Sequence, residues 1–430
     1  MKYRKMMYAA AAAAMMIAGC SSSSAPEQDK ADDGTVKVWC WDENFNVKAM
    51  EVAKEMYLET NPDANIEVVT MAQDDIVQKL NTSLSSGNTD TLPNIVLIED
   101  YRIQGYLQAY DNAFEDLTDI VAEDDFVSYK MGVNQIDGKT YGVPFDSGSA
   151  GLYYRTDILE EAGYTADDMS DLTWDEYIKI GKDVKEKTGT AMLTLDPSDL
   201  GPIRMMLQSA GSWYTKDDGQ TVDLAGNETL KEAIKVWKDL MTSGIVEPVA
   251  DWDSFVTAFQ TGKVATVPTG CWISPSIQVA EDLSGKWGIA EFPRMSAVDK
   301  SVNASSIGGA GWYIIKGLPG NDTAKDFLKN TFASSAPLMN QLAEDISAVS
   351  TLKAAADTEN YKAPSAYFSN EPVFENFLDW SEEVPVVNYG LHTYAIEDIL
   401  AEAVQAYVNG SDLDEALATA QSQAEGAVQY

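Results

Sequence analysis

The feature that most narrows the fold is an alternation of short apolar runs with helical segments between Thr35 and Ile98. Thr35–Trp41 (TVKVWCW) is β-branched and aromatic and reads as a strand. Val47–Leu58 sets Val47, Met50, Ala53, Tyr57 and Leu58 at helical spacing, and Asn61-Pro62 stops it. Ile66–Val69 is the next strand. Asp74–Leu84 is a second helix, with Ile76, Val77, Leu80 and Leu84 on one side and Gly87 just past its end. Ile95–Ile98 is an apolar run suited to a strand covered on both faces. Strand–helix–strand–helix–strand predicts a parallel sheet with right-handed crossovers. Such sheets bind ligands at the carboxyl ends of their strands. Those ends are Trp39–Asn46 and Glu99–Tyr101.

Ahead of this body stands Met1–Cys20, MKYRKMMYAAAAAAMMIAGC. Lys2, Arg4 and Lys5 make a positive start, Met6 to Ala18 an uncharged and mostly apolar run, and Ile17-Ala18-Gly19-Cys20 a small-residue close. This is the pattern of a secretory signal, too short for a membrane span of about 20 residues. Ile-Ala-Gly-Cys resembles a bacterial lipobox at every position. On that reading residues 1–19 are removed and Cys20 is acylated, with palmitate among its chains, and becomes the mature N-terminus. A plain signal peptide, or an N-terminal anchor helix whose cysteine is incidental, is the alternative. Several acyl chains would hold the body on the extracytoplasmic face of the cell membrane, each buried CH₂ contributing about 0.8 kcal/mol. Residues 20–34, polar and without periodicity, read as the lipidated tether.

The body behind the leader, about 400 residues, exceeds the ~250–300 at which one hydrophobic core stops growing. Two lobes are therefore expected, built from 35–145 with 294–347 and from 146–293 with 348–430. The stretch Gly138–Arg155 (GKTYGVPFDSGSAGLYYR) places a small polar break, Asp146–Ser149, between two strands, where a chain can cross between lobes. Thr173-Trp174-Asp175-Glu176 is a capping box opening a helix in the second lobe. Pro293 marks a second crossing and Ala348–Leu352 a third.

The chain carries a formal net charge of −38. With no basic patch, such a surface excludes nucleic acid and anionic lipid as partners and serves solubility. Apart from Cys20 there are Cys40 and Cys271, expected as buried free thiols, with a disulfide between them the alternative. His392 is the single histidine, read as structural. No metal-ligand spacing, phosphate loop or nucleophile elbow occurs, so neither cofactor nor metal is expected.

What remains is a set of loops that place an aromatic ring beside hydrogen-bond acceptors: Trp41-Asp42-Glu43-Asn44, Glu99-Asp100-Tyr101 and Trp252-Asp253. Rings stack on the C–H faces of a sugar, and carboxylates and amides accept from its hydroxyls. Trp39, Trp174 and Trp237 sit in predicted elements and read as core. Trp41 and Trp272 follow strands and read as stacking residues, while Trp213, Trp252 and Trp312 divide evenly between the two.

Taken together, these segments resemble one family, the solute-binding lipoproteins of carbohydrate ABC importers, close to the maltodextrin-binding proteins. The residues that carry the resemblance are the lipobox, VWCWDENFN at Val38–Asn46, Asn61-Pro62-Asp63, LPNIVLIEDYRIQG at Leu92–Gly105, Gly138–Arg155, Trp174-Asp175-Glu176, AFQTGKVATVPTGCW at Ala258–Trp272 and VVNYGLHTYA at Val386–Ala395. The resemblance implies a two-lobe periplasmic-binding-protein-like α/β fold with three hinge crossings and a ligand cleft between the lobes. It also implies capture of a sugar and delivery to a permease, without chemistry on the ligand. Carried over position by position, the ligand-binding residues are Trp41, Asp42, Glu43, Asn44, Glu99, Tyr101, Asp146, Asp196, Trp272 and Tyr389. Trp213, Trp252 and Trp312 join them on ring chemistry alone. Where relatives often carry a glutamate beyond the first crossing, this chain has Gly148, so Asp146 is expected to serve instead.

The expectation is a monomeric sugar receptor of an ABC importer, partnered by the permease subunits and by the membrane through its anchor. Two alternatives stand beside it: a receptor for a peptide, polyamine or other non-sugar solute, and a surface glycoside hydrolase using a carboxylate pair.

Overall fold

The computed structural model describes residues 34–428, Asp111 excepted. Cys20, the leader and the tether up to Asp33 lie outside the described residues. Two sheets organise the body. The first runs Asn65–Thr70, Thr35–Cys40, Ile95–Glu99, Ala310–Ile314 and Gly142–Asp146 in spatial order. Its first three strands are parallel, with Val38 opposite Ile95 and Trp39 opposite Val96, as the alternating pattern predicts. Helices Asn46–Thr60 and Gln73–Ser86 make the connections, the second stopped by Gly87 in the left-handed region. The remaining two strands are antiparallel, so Ala310 meets Glu99 on one side and Asp146 on the other.

The second sheet is centred on Ser149–Arg155, flanked antiparallel by Thr266–Gly270 and Trp287–Glu291. Thr173 and Glu176 form the expected reciprocal cap on helix Trp174–Thr188. Trp174 packs edge-on against Tyr177 and Phe292, and Trp39, Trp174 and Trp237 are buried. Cys40 and Cys271 are buried and unbridged. Burial pushes the Cys40 thiol up to about 12, so it is unreactive at neutral pH.

Only Ser147 and Gly148 separate the last strand of the first sheet from the first strand of the second. Two other segments lie against this link. Ser147 N–H donates to Val349 O at 2.9 Å, and Ile307 N–H donates to Gly148 O at 2.8 Å. The second passage between sheets lies at Ile307–Gly309 rather than at Pro293. Residues 294–306 stay with the second sheet: Trp174 N–H donates to Arg294 O, Val302 N–H to Ser209 O, and Ser305-Ser306 pair with Ala150-Ser149. Proline marks a break in a strand but not its destination. Glycine marks the passage better here, because Gly308 and Gly309 hold φ of +78° and +92°.

Candidate functional site

The loop after the first strand is wound around two side chains. Asn46, itself buried, accepts from the N–H groups of Trp41 and Asp42, both at 3.0 Å. Asp42 Oδ1 accepts from the N–H groups of Asn44 and Phe45 at 2.9 and 3.1 Å. This double wrap aims half-buried Trp41, with Asp42 and Asn44, into a cavity of about 680 Å³. Glu43, exposed at the tip of the loop, does not line it. Glu99, Asp146, Trp252 and Trp272 complete the predicted part of the wall.

A second cavity of about 300 Å³ shares Trp252 and Trp272 with the first and adds Asp196. Its remaining wall is largely apolar, from Leu195, Pro202, Met205, Phe255, Pro268 and Ile307. Both volumes fall in the range of about 300–1,000 Å³ usual for small-molecule sites. The shared tryptophans are held differently. Trp272 is half-buried, with Nε1–H donating to Ile307 O at 3.0 Å, which ties its ring to the passage between the sheets. Trp252 opens helix Trp252–Gln260, capped by Asp251, and is 54% exposed. Their ring centroids lie 5.9 Å apart.

The carboxylates differ in how free they are. Asp196 is engaged with the N–H and hydroxyl of Ser198 in a local turn. Glu99 accepts from the Tyr394 hydroxyl at 2.7 Å and pairs with Arg102 Nε at 3.3 Å. Asp146 accepts from Ala310 N–H at 2.8 Å. Burial raises its pKa above the ordinary carboxylate value, while Lys130 and that N–H pull it back.

Besides Glu43, four predicted contacts are placed elsewhere. Trp312 is fully buried between Phe145 and Phe332, each at 5.3 Å, on a strand covered on both faces. It is a core residue, and a sugar cannot reach it. Tyr101, Trp213 and Tyr389 are 3%, 2% and 1% exposed because they stack on one another. Tyr101 lies in the first turn of helix Asp100–Ala109, which follows the strand directly, and the faces of all three rings are already covered.

Several participants carried no signal in the sequence. Asp100 and Lys130 form a buried ion pair behind the cavity wall, with Nζ 2.8 and 2.6 Å from the two carboxylate oxygens and 3.1 Å from Ala310 O. Burial pushes Asp100 up to about 6 against the opposing pull of Lys130. Gln73, Ser276, Asp345 and Ser347 line the larger cavity. Thr194 lines the smaller, and its Oγ1 is buried without a hydrogen-bond partner among the described residues. Asp100 lies in the Glu99-Asp100-Tyr101 segment that the sequence singles out, but its pairing with Lys130, thirty residues on, is not visible there. Thr194 sits in an ordinary strand pattern, and nothing in it could have been singled out.

A cleft between two α/β layers, walled by tryptophans and carboxylates at strand ends, defines a small-solute receptor. The chain belongs to the bacterial extracellular solute-binding protein family, whose model matches residues 53–369. It is 41% identical over 396 residues to the lactose-binding protein of Rhizobium radiobacter, covering 92% of this chain and 93% of that protein. It is 25% identical over 312 residues to the arabinooligosaccharide-binding protein of Bacillus subtilis (strain 168), covering 70% of each. The sugar-binding protein MalE of Xanthomonas citri superposes with a TM-score of 0.77 at 18% identity, over 92% of this chain and 97% of that one. The fold is thus the two-lobe α/β fold of periplasmic binding proteins.

Proposed function

We propose that this protein is the sugar-capturing component of an ABC importer, and that its ligand is a galactoside disaccharide of the lactose class. The observation that carries the reading is the Trp252–Trp272 pair, open to a cavity whose other walls supply Trp41, Asp42, Asn44, Glu99 and Asp146. Those rings offer faces for the C–H surfaces of a sugar, and the carboxylates accept from its hydroxyls. The identity with a lactose-binding relative over nearly the whole chain supports the choice of sugar.

In this reading the lobes are roughly 35–146 with 310–347 and 149–306 with 353–428. The adjacent segments Ser147-Gly148, Ile307–Gly309 and Val349-Ser350 are the hinge about which they close. Cys20 carries the lipid that holds the receptor on the extracytoplasmic face of the membrane, and the closed, loaded form docks on the permease. The protein acts as a monomer and leaves the sugar unchanged.

The test is a titration followed by tryptophan fluorescence and thermal shift. The panel is lactose, galactobiose, arabino-, xylo- and malto-oligosaccharides, their monomers, a polyamine and a peptide. Saturable binding confined to galactosides is expected, with stabilisation of about 2.7 kcal/mol at a hundredfold excess over Kd. Response to the polyamine or the peptide alone would overturn the sugar reading, and release of monosaccharide during incubation would overturn the passive one. Mass analysis of the membrane-extracted protein checks Cys20, since an unacylated N-terminal peptide would remove the anchor.

A further inference from the structure

Beside the cleft the structure holds an aromatic cluster that no ligand is needed to build. Tyr101 stacks on Trp213 at 5.5 Å and 24°, and Tyr389 meets both at 4.7 Å. Trp213 Nε1–H donates to Thr393 Oγ1 at 3.0 Å, and Asn227 Nδ2 donates to Trp213 O at 2.8 Å. The Arg204 guanidinium lies 5.2 Å from the Tyr101 ring centre and pairs with Glu397 at 3.2 Å, which also accepts from the Tyr214 hydroxyl at 2.7 Å. Tyr394 completes the group, its ring 4.4 Å from the Arg102 guanidinium.

The cluster joins the two sides of the molecule. Glu99 ends a strand of the first sheet, and Tyr101 and Arg102 follow it. Arg204 lies on helix Gly201–Ser209, next to Met205, whose carbonyl accepts from Ser305 in the second sheet. The cluster also touches residues that line the cavities or adjoin those that do. Tyr394 holds Glu99, which lines the larger one. The Tyr101 hydroxyl accepts from Gly308 N–H at 3.2 Å, and the flanking Ile307 and Gly309 line the smaller and the larger cavity.

We propose that the packed rings of Tyr101, Trp213 and Tyr389, locked by Arg204 and Tyr394, are an end-stop that closes the cleft and restricts the receptor to short saccharides. The proposal rests on the sugar reading above and adds ligand length to it. The ring faces that could extend a stacking platform past the cavities are spent on one another. The rings left for ligand, Trp41, Trp252 and Trp272, all line the cavities. A chain extended toward the cluster would have to break buried ring contacts, each worth more than its area alone, and strip Arg204 from its partners.

The experiment is calorimetric titration with lactose and with galactosyl-extended tri- and tetrasaccharides, using the wild type and Trp213→Ala. The wild type is expected to bind the longer sugars at least about tenfold more weakly than the disaccharide. In Trp213→Ala the ratio of trisaccharide to disaccharide affinity is expected to rise by about tenfold or more. Tyr101→Leu, which keeps most of the apolar volume, gives the same readout if Trp213→Ala does not fold. Equal affinity for all lengths in the wild type, or an unchanged ratio in a folded variant, overturns the end-stop and leaves the sugar reading intact. Absence of binding by any saccharide removes the sugar reading itself, and the end-stop with it.

Discussion

The Asp100–Lys130 pair gives the sharpest test of how the wall behind the cavity is held. Both side chains are fully buried, and Lys130 spends its three donors on the two Asp100 oxygens and on Ala310 O. Removing one partner strands a charge in a low-dielectric site, at a cost of about 3–5 kcal/mol. That is a large share of the about 5–15 kcal/mol that stabilises a typical protein. Lys130→Met and Asp100→Leu should each be destabilised on that scale. The double variant should behave differently. Asp100 has a folded pKa of about 6, above its free value, so its desolvation exceeds what Lys130 returns. Replacing both groups by apolar ones is therefore expected to restore stability to within about 1 kcal/mol of the wild type or above it. Urea unfolding at pH 7.5, followed by tryptophan fluorescence, reads all three. The pH dependence gives an independent sign. A raised carboxyl pKa means the native state keeps a proton that the unfolded state has lost between about pH 4 and 6, so this group's contribution falls as pH rises through that window. Asp100→Leu should flatten that slope. Single variants costing less than about 1 kcal/mol, or a double variant no better than the worse single, would refute the reasoning.

Gly309→Ala should cost about 1–3 kcal/mol, because φ is +92° and an added Cβ would sit 2.8 Å from Asp100 Oδ2 and 3.0 Å from Lys130 Nζ; wild-type stability in urea would contradict this. Trp252→Ala should change stability by no more than about 0.5 kcal/mol, the ring being half exposed, yet weaken lactose binding by about tenfold or more in calorimetry. Trp272→Phe keeps a stacking face but loses the bond to Ile307 O, so affinity should fall by roughly fivefold, one hydrogen bond being worth about 1 kcal/mol. Burial beside Glu291 pushes Glu371 up to about 7, so its contribution to stability is full below about pH 4.5 and declines as pH rises toward 7. Glu371→Gln should therefore melt higher than the wild type at pH 8 and alike at pH 4, and parallel melting profiles would count against the shift.

The first sheet was legible because its information is local. Periodicity, the Asn61-Pro62 stop and Gly87 each act within a few residues, and tertiary packing only had to agree with them. The strand-end loops were legible for the same reason: a parallel sheet delivers them to one edge whatever their side chains do. Trp41, Asp42, Asn44 and Glu99 therefore line the larger cavity together. Which rings face solvent is a different kind of fact. Trp252 and Trp213 both sit beside acceptors or small residues in loops, and their sequence contexts do not separate them. What separates them lies far along the chain: Tyr101, Tyr389 and Thr393 converge on Trp213, while Trp252 meets Phe255 and Trp272 and remains open.

The Pro293 and Gly308-Gly309 contrast follows the same logic. A break in local pattern is visible at both, but only long-range pairing says which break carries the chain from one sheet to the other. Ser305-Ser306 still pairs with Ser149-Ala150, and Ala310 already pairs with Glu99 and Asp146. Between those pairings only Ile307, Gly308 and Gly309 remain to make the passage. All three are tied to the site. Ile307 O accepts from Trp272, Gly308 N–H donates to Tyr101, and Gly309 O accepts from Asp100 N–H. A rotation of one sheet against the other must act on these three residues, and so on the stacking ring, the aromatic cluster and the buried ion pair together. On the proposed reading, ligand contact at Trp272 would be joined to lobe geometry through the Ile307 carbonyl.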